Sequence, residues 1–245
     1  MAEAGKRLAR ILAILKNETR VGLPTEYLEN RTRELLKEAE AEAAFLNYRP
    51  AASNRPYPAA LCVSVNDTVV HGLPSKYILK EGDLVKLDLG LKYQGFYVDA
   101  ALTVGLGKIS EKARRLLQVT EKALELALGE ARPGKRLGDI GQAIQNFVER
   151  NKFSIIKTLT GHGIGKSLHE EPTVLNFGSR GSGEKLEPGM VLAIEPMVSA
   201  SSSPKGEKVI QKDDDSFLTA DGSLSAHFEH TVAITEAGPR ILTKI

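Results

Sequence analysis

Residues 82–104 read GDLVKLDLGLKYQGFYVDAALTV, and their alternation decides the fold class. Val85, Leu87, Leu89 and Leu91 alternate with Lys86, Asp88 and Gly90. Beyond Lys92 to Gly95, Phe96, Val98, Ala100 and Leu102 alternate with Tyr97, Asp99, Ala101 and Thr103. Period two predicts a β-hairpin in which each aspartate lies on the face opposite its strand's apolar row. With the loop centred between Tyr93 and Gln94, Asp88 is expected directly across from Asp99, their Cβ atoms about 5 Å apart. Carboxylates that close repel, so one holds a proton or a cation sits between them.

Composition bounds the rest. A chain of 245 residues with 42% hydrophobic content can bury a full core, as one large domain or two fused halves. Lys and Arg total 33 against 31 acids, and the net charge of +2 gives no field that argues for nucleic acid or a membrane surface. A single cysteine, Cys62, excludes an internal disulfide and a multi-cysteine zinc site, which fits a reducing compartment with the cytoplasm as default. The apolar run Ile11 to Leu15 is too short for a signal core or a membrane span, so no targeting segment is expected.

In chain order, Leu8, Ile11, Leu12 and Leu15 predict an amphipathic helix with Lys6, Arg7, Arg10 and Lys16 on other faces. That basic face could touch a polyanion, but a solvated face is the plainer reading. Thr25 is expected to cap a second helix, Asn47 to Pro58 to form a long loop, and Leu61 to Val65 a strand leading to His71 at a Gly-Leu-Pro turn. After the acid hairpin, Ser110 is expected to cap a long helix that ends at Arg132-Pro133-Gly134, with another helix through Ile140, Ile144, Phe147 and Val148. Ser154 to Leu159 reads as a strand feeding TGHGIGKSLHEEP, which carries His162 and His169. MVLAIEPMV reads as one strand containing Glu195, and Phe228 to Ile234 as one strand bearing Glu229. Ser199 to Ser225 reads as an exposed excursion, and its acid run Asp213 to Asp215 as solvated.

Two stretches echo each other. Gly82 to Asp88 and Gly189 to Glu195 each place an acid six residues after a glycine, at the end of an apolar strand. Each half also offers helices, a strand, a histidine turn and an acid-bearing strand pair. A duplicated unit whose four acids converge on a pseudo-two-fold axis is expected, although the identity is slight. Four buried carboxylates need compensation, and two divalent cations supply it. With one histidine such as His162 the donor set is oxygen-rich, which suits Mn, Fe or Co and admits Zn. Two metals a few ångströms apart can polarise an amide carbonyl for hydrolysis, with His71 and His169 placed to contact the amide. His230, with apolar parity, reads as a satisfied structural histidine, and His227 carries no role.

The runs LCVSVNDTVVHGLP, KLDLGLKYQGFYVDA, GHGIGKSLHEEP, AIEPMV and LSAHFEHTVAIT resemble, in order and spacing, those of type I methionine aminopeptidases across nearly the whole chain. The resemblance implies an α+β pita-bread fold, a duplicated α/β unit around a dinuclear site. It implies one catalytic domain, 1–245, with pseudo-repeats about 1–108 and 109–245. The implied activity is removal of initiator methionine from new chains where the second residue is small. On this resemblance Asp88 would chelate one metal, His162 and Glu195 the other, and Asp99 and Glu229 both. Glu195 would shuttle protons, His71 and His169 would contact substrate, and Tyr57 and Cys62 would line the methionine pocket. Leu168 stands where the family often has phenylalanine, and the chain has no tryptophan, so Phe217 is a candidate to close the pocket from the Ser199 to Ser225 loop. The implied partners are nascent N-termini and a ribosome surface, with a monomer expected. An Xaa-Pro peptidase of the same fold and a catalytically silent ribosome-binding relative are the rival readings.

Overall fold

In the computed structural model, which describes residues 1–49 and 55–244, the chain opens with α1 (Ala2–Glu18) and α2 (Thr25–Glu38). Leu8, Ile11, Leu12 and Leu15 of α1 are all buried, each stabilising the fold by about 1.5–3 kcal/mol. The basic face is partly spent internally, since the Arg7 guanidinium stacks on the Tyr93 ring at 4.1 Å and donates to the Ala39 carbonyl. Thr25 does not cap α2. Pro24 holds the cap position, and the Thr25 hydroxyl instead donates to the Ser75 carbonyl at 3.1 Å and accepts the Ser75 N–H at 2.8 Å. The loop expected over Asn47 to Pro58 falls partly on 50–54, outside the described residues.

Five strands follow: β1 (Glu42–Ala43), β2 (Cys62–Val65), β3 (Thr68–Val70), β4 (Leu84–Tyr93) and β5 (Phe96–Gly105). The hairpin is β4–β5, but its register differs from the expected one. Asp88 pairs with Ala101 and Asp99 with Gly90, so the two acids are diagonal neighbours on one face rather than directly opposite. The turn is the reason. Gln94 and Gly95 both take positive φ, 49° and 77°, as a two-residue type I′ loop requires, so the centre lies between them. Moving the centre by one residue shifts the register by two, which preserves the face and widens the gap to about 7–8 Å.

The second half contains α3 (Glu111–Glu130) and α4 (Leu137–Arg150), with Ser110 Oγ capping α3 through the Ala113 N–H at 3.1 Å as expected. Eight strands follow: β6 (Ser154–Ile155), β7 (Gly161–Gly163), β8 (Glu170–Val174), β9 (Val191–Ile194), β10 (Met197–Ser199), β11 (Val209–Gln211), β12 (Phe217–Thr219) and β13 (Ser225–His227). β14 (His230–Thr235) and β15 (Gly238–Ile241) complete the chain. The strand expected over Ser154 to Leu159 stops at Ile155. MVLAIEPMV is two strands, because Pro196 has no N–H for a ladder, and β9 and β10 join different sheets on either side of Glu195. Phe228 to Ile234 is likewise interrupted, with Glu229 in the break between β13 and β14. The 199–225 stretch is no free excursion: β11 and β12 form a hairpin that extends β3.

Two main cores result. One packs α1 and α2 on the hairpin face of Val85, Leu87, Leu89, Leu91, Val98 and Ala100; the other packs α3 and α4 on Ile155, Leu192, Ile194, Val232 and Ile234. The acid-bearing faces lie between them. Lys86, on the Asp88 face, is fully buried and donates to the carbonyls of Asn66 and Ser225 at 2.7 and 3.1 Å, and burial lowers its pKa to about 7. His230 is satisfied as expected, its Nδ1 2.9 Å from the Thr243 hydroxyl. No helix among the described residues is long and apolar enough to cross a membrane.

Candidate metal centre

The two cores meet along β5, which is stitched to the last motif by backbone and hydroxyl bonds. Asp99 N–H donates to Thr231 Oγ1 at 2.9 Å, and that hydroxyl donates back to the Asp99 carbonyl at 2.7 Å. Glu229 N–H donates to the Ala101 carbonyl at 2.9 Å. Thr103 Oγ1 accepts the His227 N–H at 3.0 Å and donates to the His227 carbonyl at 2.7 Å. Alternate residues 99, 101 and 103 thus hold 231, 229 and 227 in antiparallel order. The break at Glu229 lets its side chain turn toward Asp99 instead of continuing a ladder. Sequence reading missed Thr103 and Thr231; their parity with Asp99 and Glu229 was the available signal.

The five predicted metal-ligating residues converge. Asp99, His162 and Glu229 offer donor atoms within 4.8 Å of one another, and so do Glu195, His227 and Glu229. His162 Nε2 lies 3.8 Å from Glu195 Oε1. Asp88 stands across β4 from Cys62 and lines the same cavity. His162 Nδ1 is 2.8 Å from the Gly163 carbonyl, which assigns the ring proton to Nδ1 and leaves the Nε2 lone pair for a metal. The Asn176 amide donates to the Glu195 carbonyl at 3.0 Å and pins the strand break.

Electrostatics make the acids unstable as found. Asp88, Asp99 and Glu229 are buried, and the Glu195 side chain is only 12% exposed. Burial pushes the Asp88, Glu195 and Glu229 carboxyls well above their ordinary range, helped by neighbouring carboxylates, and raises Asp99 to about 7. Asp88 Oδ1, Asp99 Oδ1 and Glu229 Oε1 have no hydrogen-bond partner among the described residues. Buried oxygens of this kind cost several kcal/mol each when left charged and unpaired. Divalent cations would satisfy them, and an oxygen-rich set with imidazole nitrogen suits Mn, Fe, Co or Zn.

A cavity of about 410 Å³ adjoins the acids, walled by Phe45, Tyr48, Tyr57, Cys62, Leu168 and other residues, so the predicted Tyr57 and Cys62 do line it. Gly90 makes room for this wall, since a Cβ there would lie 2.7 Å from the Phe45 ring. Tyr57 donates to the Gly72 carbonyl at 3.0 Å. The Cys62 thiol is buried and pushed up. A second cavity of about 540 Å³, lined by Thr158, Thr160, Glu170, Glu171 and Thr173, shares His71, Asp88, His162, His169 and Glu195 with the first. His71 and His169 therefore stand where the two spaces meet. Tyr48 Oη lies 2.5 Å from His169 Nδ1, and the His169 ring meets His162 at 4.3 Å between centroids. The Phe217 ring packs edge-on to His71 at 5.5 Å.

Two expectations need correction. Asp213 and Asp214 are exposed as expected of a solvated run, but Asp215 is half-buried, and Asp214 and Asp215 also line the cavity at the tip of the β11–β12 hairpin. His227 is a member of the centre, 3.2 Å from Glu195 Oε2.

The profile of metallopeptidase family M24 matches residues 1–236. The chain is 45% identical to a methionine aminopeptidase of Clostridium perfringens over 100% of this chain and 95% of that protein. It is 41% identical to methionine aminopeptidase 1 of Bacillus subtilis, again covering 100% and 95%. The crystal structure of the Thermotoga maritima methionine aminopeptidase superposes with a TM-score of 0.94 at 42% identity, over 100% of this chain and 95% of that one. A prolidase from Pyrococcus furiosus shares the fold alone, at 22% identity and a TM-score of 0.75. With its pita-bread fold and a profile match over nearly its whole length, this chain belongs to metallopeptidase family M24.

Proposed function

We propose that this chain removes the N-terminal methionine of nascent proteins and peptides, with a preference for a small, uncharged second residue. The observation that carries the reading is the junction of two cavities at the acid cluster. The first has apolar residues such as Phe45, Cys62, Leu73 and Leu168 beside the acids, which suits an apolar side chain, and the second has threonines and acids suited to an extended peptide. An unbranched thioether in the apolar space sets the scissile amide beside His71, His169 and Glu195.

Asp88, Asp99, His162, Glu195 and Glu229 would hold the divalent metal ions, a reading supported by the buried carboxylate oxygens without partners and by the close approach of the Asp99, His162, Glu195 and Glu229 donor atoms. Mn, Co, Fe or Zn bound there would supply Lewis acidity for the amide carbonyl. Glu195 carries a proton from the attacking water toward the leaving amine. His71 and His169 bind the amide and the charge that develops on its oxygen. Tyr57 and Cys62 shape the methionine pocket. The duplicated-unit reading, 1–108 and 109–245 within one catalytic domain, is supported by Gly82 and Gly189. Both take positive φ and donate N–H to a carbonyl at the end of a neighbouring strand, Leu106 and Ile234, at 2.8 and 2.9 Å.

The test is hydrolysis of Met-Ala-Ser, Met-Lys-Ser and Ala-Pro-Ala after chelator treatment, with Mn, Co, Fe or Zn restored singly. Metal-restored cleavage of Met-Ala-Ser alone is expected. Preference for Ala-Pro-Ala would move the chain to the Xaa-Pro branch, and no cleavage with any metal would refute catalysis.

A further inference from the structure

We propose that His227 is a positioning residue for Glu195, setting its Nε2 3.2 Å from Glu195 Oε2 and so fixing which oxygen of that carboxylate faces the metal centre. This rests on reading Glu195 as a metal ligand. The side chain of His227 is 1% exposed, and neither ring nitrogen makes a hydrogen bond among the described residues. An imidazole always carries at least one N–H, and a buried N–H without an acceptor bears its full desolvation cost. The Glu195 Oε2 atom at 3.2 Å is the acceptor the site offers. The other carboxylate oxygen, Oε1, faces His162 Nε2 at 3.8 Å, so two histidines address the two oxygens of one carboxylate.

The backbone around His227 is built to hold the ring there. Its N–H and carbonyl are both bound by Thr103 Oγ1. Its Cα partner across the sheet is Met197, two residues beyond Glu195. Lys86 Nζ anchors the same strand at the Ser225 carbonyl and hydroxyl, both at 3.1 Å. Without the imidazole beside it, the Glu195 carboxylate would lose the neighbour that distinguishes Oε2 from Oε1, and the site would lose a preset ligand orientation. Outer hydrogen bonds to metal ligands are worth about 10–100-fold in metal affinity.

The experiment strips the full-length protein with chelator and measures Co(II) affinity by competition with a chromophoric chelator, alongside the Co(II) absorption spectrum. The proteins are wild type, H227Q, H227L, H227N and E195A. H227L, which fills the space without a donor, is expected to bind Co(II) about 10–100-fold more weakly. H227N, whose shorter amide does not reach Oε2, is expected to do the same and decides the matter if H227L does not fold. H227Q, which keeps a reaching N–H, is expected to stay within about threefold of wild type with an unchanged spectrum. Wild-type affinity in H227L or H227N would overturn the proposal. So would equal losses in H227Q and H227L with a changed spectrum, which would make the ring a direct ligand. Unaltered affinity in E195A would instead refute the ligand reading on which the proposal rests.

Discussion

Replacing Asp99 with asparagine should stabilise the metal-free protein at neutral pH while weakening its hold on metal. Burial raises the Asp99 carboxyl from 3.8 to about 7 in the folded chain. Between those values the folded protein keeps a proton that the unfolded chain has released, so stability falls as pH rises through that window. About three pH units at 1.36 kcal/mol each give about 4 kcal/mol, an upper limit because the adjoining cavity admits water, which screens the charge. Asp88, Glu195 and Glu229 are raised in the same direction and steepen the loss. Asparagine has nearly the same shape and no charge, so its contribution does not vary over this range. The assay is urea unfolding in chelator at about pH 4.5 and about pH 7.5, then with excess divalent cation. Wild type should lose more stability than D99N between the two pH values, fall below D99N at the higher one, and regain the lead when metal is added. A metal-free wild type that holds its midpoint across the range, or a D99N that is the less stable protein at the higher pH, would refute the reasoning.

Three further outcomes are expected. Glu195→Gln should lower kcat for Met-Ala-Ser by about 10²–10⁴-fold at saturating metal, and steady-state rates within about threefold of wild type would remove Glu195 from proton transfer. Gly163→Ala places a Cβ 2.2 Å from the Glu171 carbonyl oxygen, so β7 must shift; a loss of about 1–3 kcal/mol in urea unfolding is expected, and an unchanged midpoint would contradict it. Cys62, buried and with its thiol pushed up, should be alkylated by iodoacetamide far more slowly in the folded protein than in urea, and equal rates would show that the thiol is open to solvent.

Much of the centre was legible because strand periodicity is a local property. Alternation alone put Asp88 and Asp99 on the face away from the apolar row, while Glu195 followed an apolar strand and Glu229 stood near the start of another. The register was not legible, because it depends on whether Gln94 accepts a left-handed conformation beside Gly95, a choice that side-chain periodicity does not report. Since the error was two residues, parity survived and so did the site. The break at Pro196 was readable in principle, as proline cannot donate to a ladder, but an apolar run hides it. The acid run at Asp213 to Asp215 was readable as solvated, but that Asp214 and Asp215 also border the cavity was not, because polar composition describes a loop and not where its hairpin docks.

His227 shows where local reading ends. In sequence it is a histidine two residues before an acid, and although apolar parity marked His230 as structural, nothing gave His227 a role. Their different fates come from β5. Thr103, Ala101 and Asp99 grip 227, 229 and 231, so these alternate residues are held against the hairpin, while His230 turns the other way to Thr243. The grip joins residues more than a hundred positions apart, and each of its bonds is an ordinary one of about 3 Å. What the sequence carried was the parity of each strand. What the structure added is the pairing of two parities, which turns two separate pairs of acids into one centre with a histidine on each side of Glu195.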